Sequence, residues 1–168
     1  MSITTYTTID RSVSRAVTPV DVLQSVMTAL NQRNLSRAVD QFAHDFAFND
    51  YALKLEFTDK RRLTEFFQKA CELFPDTVVE LVSTFECGDY AIAEWTLTAT
   101  QIEQFGSRSY RFPILLRGST IVQIENGRVA HWSDCYDQLT SRRGPLKHFL
   151  KTGSSTKRLP TSETKFQK

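Results

Sequence analysis

Among the residues of this chain that could do chemistry, Asp134 stands out for its neighbours. It lies in VQIENGRVAHWSDCYD, residues 122–137, where an apolar strand enters Asn126-Gly127 and a second strand follows. Asn-Gly between two such runs is a strong hairpin signal. On the second strand Trp132 and Ala130 precede Asp134 by two and four residues, so all three share a face. If that face is buried, a carboxyl group sits in an apolar wall, where burial is costly and raises its pKa. Proton exchange at neutral pH needs a rise of about three pH units from ~4, or roughly 4 kcal/mol of differential solvation. The plainer alternative is a carboxylate accepting hydrogen bonds at a strand end.

Two hairpin registers are open. A two-residue loop pairs Ile124 with Val129 and sets Asp134 opposite Ser119. A three-residue loop with a bulge at Gly127 pairs Glu125 with Val129 and sets Asp134 opposite Thr120. A one-residue slip exchanges the faces of a strand. The second register groups Thr120, Val122 and Ile124 with Ala130, Trp132 and Asp134, and turns Gln123, Glu125, His131 and Ser133 outward, so it is preferred. The preceding strand then brings Trp95 and Leu97 beside Asp134.

Asp50 ends a shorter strand on the face of Phe48, so it is either a second pocket carboxylate or a turn residue. Phe66 and Phe67 are further candidates for the pocket wall. His44, His131 and His148 are scattered and form no metal constellation. Ser133 points away from Asp134, which leaves no Ser-His-Asp arrangement. Cys71, Cys87 and Cys135 form no Cys-x-x-Cys pair, and no phosphate-cradling glycine loop occurs.

These residues need a frame. The first helix should start at Thr18-Pro19, an N-cap followed by Pro, and run to about Arg33. A short helix follows near 35–42, then a short strand ending at Asn49-Asp50. A third helix capped by Thr58 or Asp59 carries Leu63, Phe66, Phe67, Ala70 and Phe74 and stops at Pro75. The period then changes to two. Val79, Leu81, Ser83, Phe85 and Cys87 should share one face of the first long strand. Ala91, Ala93, Trp95, Leu97 and Ala99 share a face of the next. Phe112, Ile114, Leu116, Gly118, Thr120, Val122 and Ile124 share a face of the third, where Pro113 and Gly118 suggest an edge or a bulge. The expected fold class is α+β: a cone-shaped barrel in which a curved, mostly antiparallel sheet and three N-terminal helices enclose a pocket.

The 168 residues suit one domain, with 40% hydrophobic and 24% charged residues. Residues 1–17 read as a flexible arm, 18–150 as the domain and 151–168 as a basic disordered tail. That tail carries five Lys or Arg against Glu163 alone, so the remainder is slightly acidic despite a net charge of +2. No basic stripe suggests nucleic acid, and no apolar run suggests a membrane span. A cytoplasmic location is the expectation.

The Thr-Pro start, FAHDFAFND, AIAEWTLTATQ and IVQIENGRVAHWSDCYDQL together resemble the SnoaL-like polyketide cyclase family of the nuclear transport factor 2-like superfold. The resemblance covers about residues 18–140. It implies that Asp134 is the general acid/base of an intramolecular aldol ring closure, and that the family's assisting His falls on Thr120. Limonene epoxide hydrolases are similar in the same segment, and their water-activating Asp also falls on Asp134. Their Arg and second Asp fall on Trp95 and Leu97, and their Tyr and Asn on Phe48 and Asp50, so that machinery is not expected. The C-terminal TSRRGPLKHFL departs from the usual cyclase ending. The resemblance also implies a homodimer formed through the outer sheet face, with Leu115, Val78 and Val82 available for it.

The resulting expectation is a cofactor-independent cyclase, isomerase or dehydratase. It would act on a small apolar carbonyl compound of polyketide or terpenoid kind, with Asp134 as the single pocket base. Thr120, Trp95, Leu97, Phe48, Asp50, Trp132 and Phe67 would bind the substrate, with no metal. The alternative is a non-catalytic module of the same fold that binds a small ligand or dimerises.

Overall fold

The computed structural model describes residues 16–105 and 107–137. The expected basic tail, most of the N-terminal arm and His148 lie outside these residues. Three helices, α1 (Pro19–Asn31), α2 (Leu35–Asp40) and α3 (Lys60–Leu73), pack against one six-stranded sheet. Its strands are β1 (Phe42–Asp50), β2 (Leu55–Phe57), β3 (Val78–Cys87), β4 (Tyr90–Phe105), β5 (Arg108–Glu125) and β6 (Arg128–Tyr136). The order across the sheet is β2-β1-β6-β5-β4-β3, antiparallel throughout except for β1 against β6. The α+β expectation holds in this form, with β1 and β2 inserted between the second and third helices.

Local chemistry explains each helix boundary. Thr18 Oγ1 accepts from the Asp21 N–H at 3.3 Å while Asp21 Oδ2 accepts from the Thr18 N–H at 2.9 Å. This reciprocal capping box opens α1, with Pro19 at its first position. Asn34 and Asp59 cap α2 and α3 through their side-chain oxygens. Pro75 disfavours helical geometry at Phe74, which leaves the helix at φ −131°, ψ 71°. The Asn31 side chain then acts as a short strand. Its Nδ2 donates to Val79 O and its Oδ1 accepts from Val79 N, which fastens α1 to the outer edge of β3.

Two expectations about the strands fail, both at bulges. In β3 the pairing steps from Leu81↔Trp95 to Ser83↔Glu94, which makes Val82 an extra residue. Beyond it Thr84 faces Ala93 on the inner face, while Phe85 and Cys87 turn outward; Phe85 is 61% exposed. In the β5–β6 hairpin Asn126 (φ 50°) and Gly127 (φ 73°) make a tight two-residue turn, pairing Ile124 with Val129. That turn alone would set Asp134 opposite Ser119. A bulge at Ala130 shifts the register by one, and Thr120 pairs with Asp134. The register preferred from the sequence is therefore present, though not by a three-residue loop. Val129 rather than Ala130 takes the inner face before the bulge and is fully buried. Pro113 lies where β5 runs past the last β6 pair, Gly118↔Tyr136, so its missing N–H costs no ladder bond on that side.

Candidate acid/base site

The sheet builds the site by register. Asp50 of β1, Asp134 of β6, Thr120 of β5 and Ala93 of β4 form one row across four strands. The row beside it is Phe48, Trp132, Val122 and Ala91. Inside the cone, the helices and long strands close a cavity of about 200 Å³ over these rows. Phe48, Asp50, Phe67, Trp95, Leu97, Trp132 and Asp134 all line it. Thr120 does not: it is fully buried behind Asp134 and presents no surface to a ligand.

Donors reach the two carboxyl groups from different sides. The Trp95 indole N–H donates to Thr120 Oγ1 at 2.8 Å, and the Thr120 hydroxyl donates to Asp134 Oδ1 at 2.5 Å. The Trp132 indole N–H is buried with no partner in hydrogen-bonding geometry, yet its dipole favours the charged form of Asp134. Asp50 Oδ1 accepts from the Leu53 N–H at 2.7 Å, and its Oδ2 accepts from the Tyr136 hydroxyl at 2.9 Å.

Removal from water dominates the electrostatics. It raises Asp134 to about 7, against the lowering effect of Thr120 and Trp132; the Asp50 charge adds a smaller rise. Burial likewise raises Asp50 to about 6, although the Leu53 N–H and the Tyr136 hydroxyl oppose it. Tyr136 is driven well above the usual phenol range, first by burial and then by the Asp50 charge, so it remains a donor. Two carboxyl groups on neighbouring strands are thus raised toward neutrality, and the Asp50 charge acts on Asp134. Such tuned acids in an apolar cavity suit proton transfer to and from carbon or oxygen.

Tyr136 was not among the residues expected from the sequence. Its signal was present: it follows Asp134 by two residues and so shares its face. Arg33 was also missed, and is the cation among the described residues lining the cavity. Its guanidinium donates to the carbonyls of Leu30, Pro75 and Thr77, tying the end of α1 to the α3–β3 connection. His44 is exposed. On the outer face His131 bridges Asn49 and Ser133 at 3.3 and 3.0 Å, and Ser133 points away from Asp134. No cluster of three His, Cys, Asp or Glu occurs among the described residues, and no helix there is long and apolar enough to cross a membrane.

Several solved structures share this architecture. A candidate SnoaL-like polyketide cyclase of Shewanella denitrificans superposes with a TM-score of 0.66 at 17% identity, over 77% of this chain and 97% of that one. IdmH, a candidate polyketide cyclase of Streptomyces antibioticus, gives 0.65 at 17% identity, over 74% and 95%. An epoxide hydrolase of M. tuberculosis, similar to limonene epoxide hydrolase, gives 0.58 at 14%, over 79% and 92%. At such identities the likeness is one of fold. No curated protein sequence matches. The sequence model of the SnoaL-like domain matches residues 23–132, a span that holds Phe48, Asp50, Trp95, Thr120 and Trp132. That match covers more than half of the chain, which therefore belongs to the SnoaL-like domain family.

Proposed function

We propose that this protein is a cofactor-independent acid/base enzyme acting on a small apolar carbonyl compound of polyketide or terpenoid kind. The reading is carried by one observation: an aspartate poised near neutrality on the wall of an apolar, ring-lined cavity. In its ionised form Asp134 takes a proton from carbon next to the carbonyl. The C–H electron pair moves onto the carbonyl oxygen to give an enolate. The enolate carbon then attacks a second carbonyl (ring closure), is reprotonated elsewhere (isomerisation), or expels hydroxide as water (dehydration). Asp134 returns the proton in each case. Phe48, Phe67, Trp95, Leu97 and Trp132 hold the apolar body of the substrate.

Exchange of carbon-bound hydrogen for deuterium tests this without knowledge of the substrate. A panel of cyclic and aromatic ketones, 2-tetralone among them, is followed by NMR in heavy water. Wild-type exchange should exceed Asp134→Asn by about 10²–10⁴-fold. Its rate should climb with pH and level off above about 7, as the base ionises. Equal rates in the two proteins, or no exchange above buffer for any ketone, would leave a ligand-binding module. Thr120 in the position of the family's assisting His is the feature that favours this second reading.

The outer sheet face also fits a second copy of the chain. Phe85, Ile92 and Ile121 line up across β3, β4 and β5 and are 61%, 41% and 43% exposed. Val78, Val82 and Leu115 extend the same exposed face. A surface of this kind is normally covered. Light scattering should give a dimer mass for the wild type and a monomer mass for Phe85→Glu/Ile92→Glu; a monomeric wild type would refute the pairing.

A further inference from the structure

Thr120 never meets a ligand, yet it is the nearest polar neighbour of Asp134. Its hydrogen bonds have a fixed direction. An indole N–H only donates, so Thr120 Oγ1 must accept from Trp95. The single hydroxyl proton is then committed to Asp134 Oδ1. Gly118 makes this geometry possible. It pairs with Trp95 across β4 and β5, and a Cβ there would lie 2.5 and 2.6 Å from the indole Cζ2 and Cη2 atoms. Any side chain at 118 would therefore push the indole off its seat.

We propose that Trp95 and Thr120 form a one-way hydrogen-bond relay that positions Asp134, holding Oδ1 as a permanent acceptor and leaving Oδ2 to exchange protons with the ligand. This rests on the reading of Asp134 as the base, and it narrows that reading. Neither relay member can take a proton from Asp134, because a neutral hydroxyl is far too weak a base to hold one and the indole N–H only donates. A histidine at position 120 could store a proton; threonine cannot. The proton abstracted by Oδ2 therefore has no exit through Oδ1; what remains is the ligand and Asp50, whose two oxygens already accept from the Leu53 N–H and the Tyr136 hydroxyl. That favours ring closure or isomerisation, in which the base returns what it takes, over chemistry that parks a proton on a second group.

The relay is tested by titrating the Asp134 carboxyl carbon by NMR in the ligand-free protein. Thr120→Val keeps the shape and removes the donor, and the midpoint should rise by about one to two pH units. Thr120→Ser should restore it to within about 0.3 pH units, which a merely structural role would not achieve. Trp95→Phe and Gly118→Ala should each raise it by a smaller amount, the first by deleting the N–H and the second by displacing it. Should Thr120→Val fail to fold, Ser near wild type with Phe raised carries the same ordering. An unmoved midpoint in the folded Val variant, or Ser behaving like Val, would overturn the relay. The deuterium exchange of Asp134→Asn is a separate readout. If it matches wild type while the midpoints shift as described, the relay stands and the enzyme reading falls.

Discussion

Asp134→Asn should be more stable than the wild type at pH 8 and equal to it at pH 4. The folded protein holds the Asp134 proton up to about 7, whereas an unfolded chain releases it near 3.8. Between these values the folded state binds more protons than the unfolded one, so stability falls as pH rises. Below pH 4 both states are protonated and the aspartic acid costs no more than an amide. Above pH 7 the charge stands half-buried on the apolar cavity wall, and holding it there rather than in water costs the wild type at most about 4 kcal/mol. The hydrogen bond from Thr120 survives in the amide, which keeps an oxygen to accept it. The variant should therefore gain about 2–4 kcal/mol at pH 8, or roughly 5–10 °C in Tm for a chain of this length. Asp50, raised to about 6, slopes the wild-type curve in the same direction and remains in the variant. Thermal melts of both proteins from pH 4 to pH 8 would show two curves meeting at the acid end. Parallel curves would mean that the carboxyl is solvated.

Stability gained by deleting a buried charge is the reverse of what a structural carboxylate does. A carboxylate kept for hydrogen bonding has its pKa lowered, and its loss destabilises near neutrality. The melt and the exchange assay therefore examine the same side chain from opposite directions. A site held at a cost to the fold is one that function maintains.

What could be read in advance follows from the range of each interaction. The face of Asp134 was legible because the two-residue period of a strand is local: Trp132 and Asp134 had to point the same way. The same rule contained Tyr136, which needed only one further step along β6. The parallel pairing of β1 with β6 is nonlocal, and no pattern within either strand announces it. For that reason the closeness of Asp50 to Asp134 could be expected only as a shared pocket and not as a direct neighbour. Bulges were the hardest, because one residue of backbone geometry decides them. Val82 sends Phe85 outward against its apolar type. Ala130 reverses the face that the Asn126-Gly127 turn would have chosen. The three-residue β2 is too short to carry a period at all. Thr120 was found by its position, but its role depended on a proton direction that only the Trp95 contact reveals.

Phe48→Ala should be the most damaging single truncation among the cavity residues. Phe48 is 2% exposed and stacks on Trp132 at 6.1 Å with their planes 12° apart. Phe42, Phe57, Phe66 and Phe67 also lie within 6.4 Å of its ring, so it joins β1, β2, α3 and β6. An alanine there would remove the hub of the cluster and merge its volume with the existing cavity. Partners on four separate elements cannot all move inward to refill the space, so the loss should lie at the upper end for an aromatic, about 3–5 kcal/mol. Against a typical total of about 5–15 kcal/mol, that is a large share of the fold's stability. Urea unfolding should show the midpoint falling sharply with an unchanged slope, and Phe48→Leu should recover more than half of the loss. Since Phe48 is also a wall of the cavity, the alanine variant should bind flat aromatic ketones more weakly even where it remains folded. A loss below about 1 kcal/mol would mean that the ring is loosely packed and that the cavity is larger and softer than its walls imply.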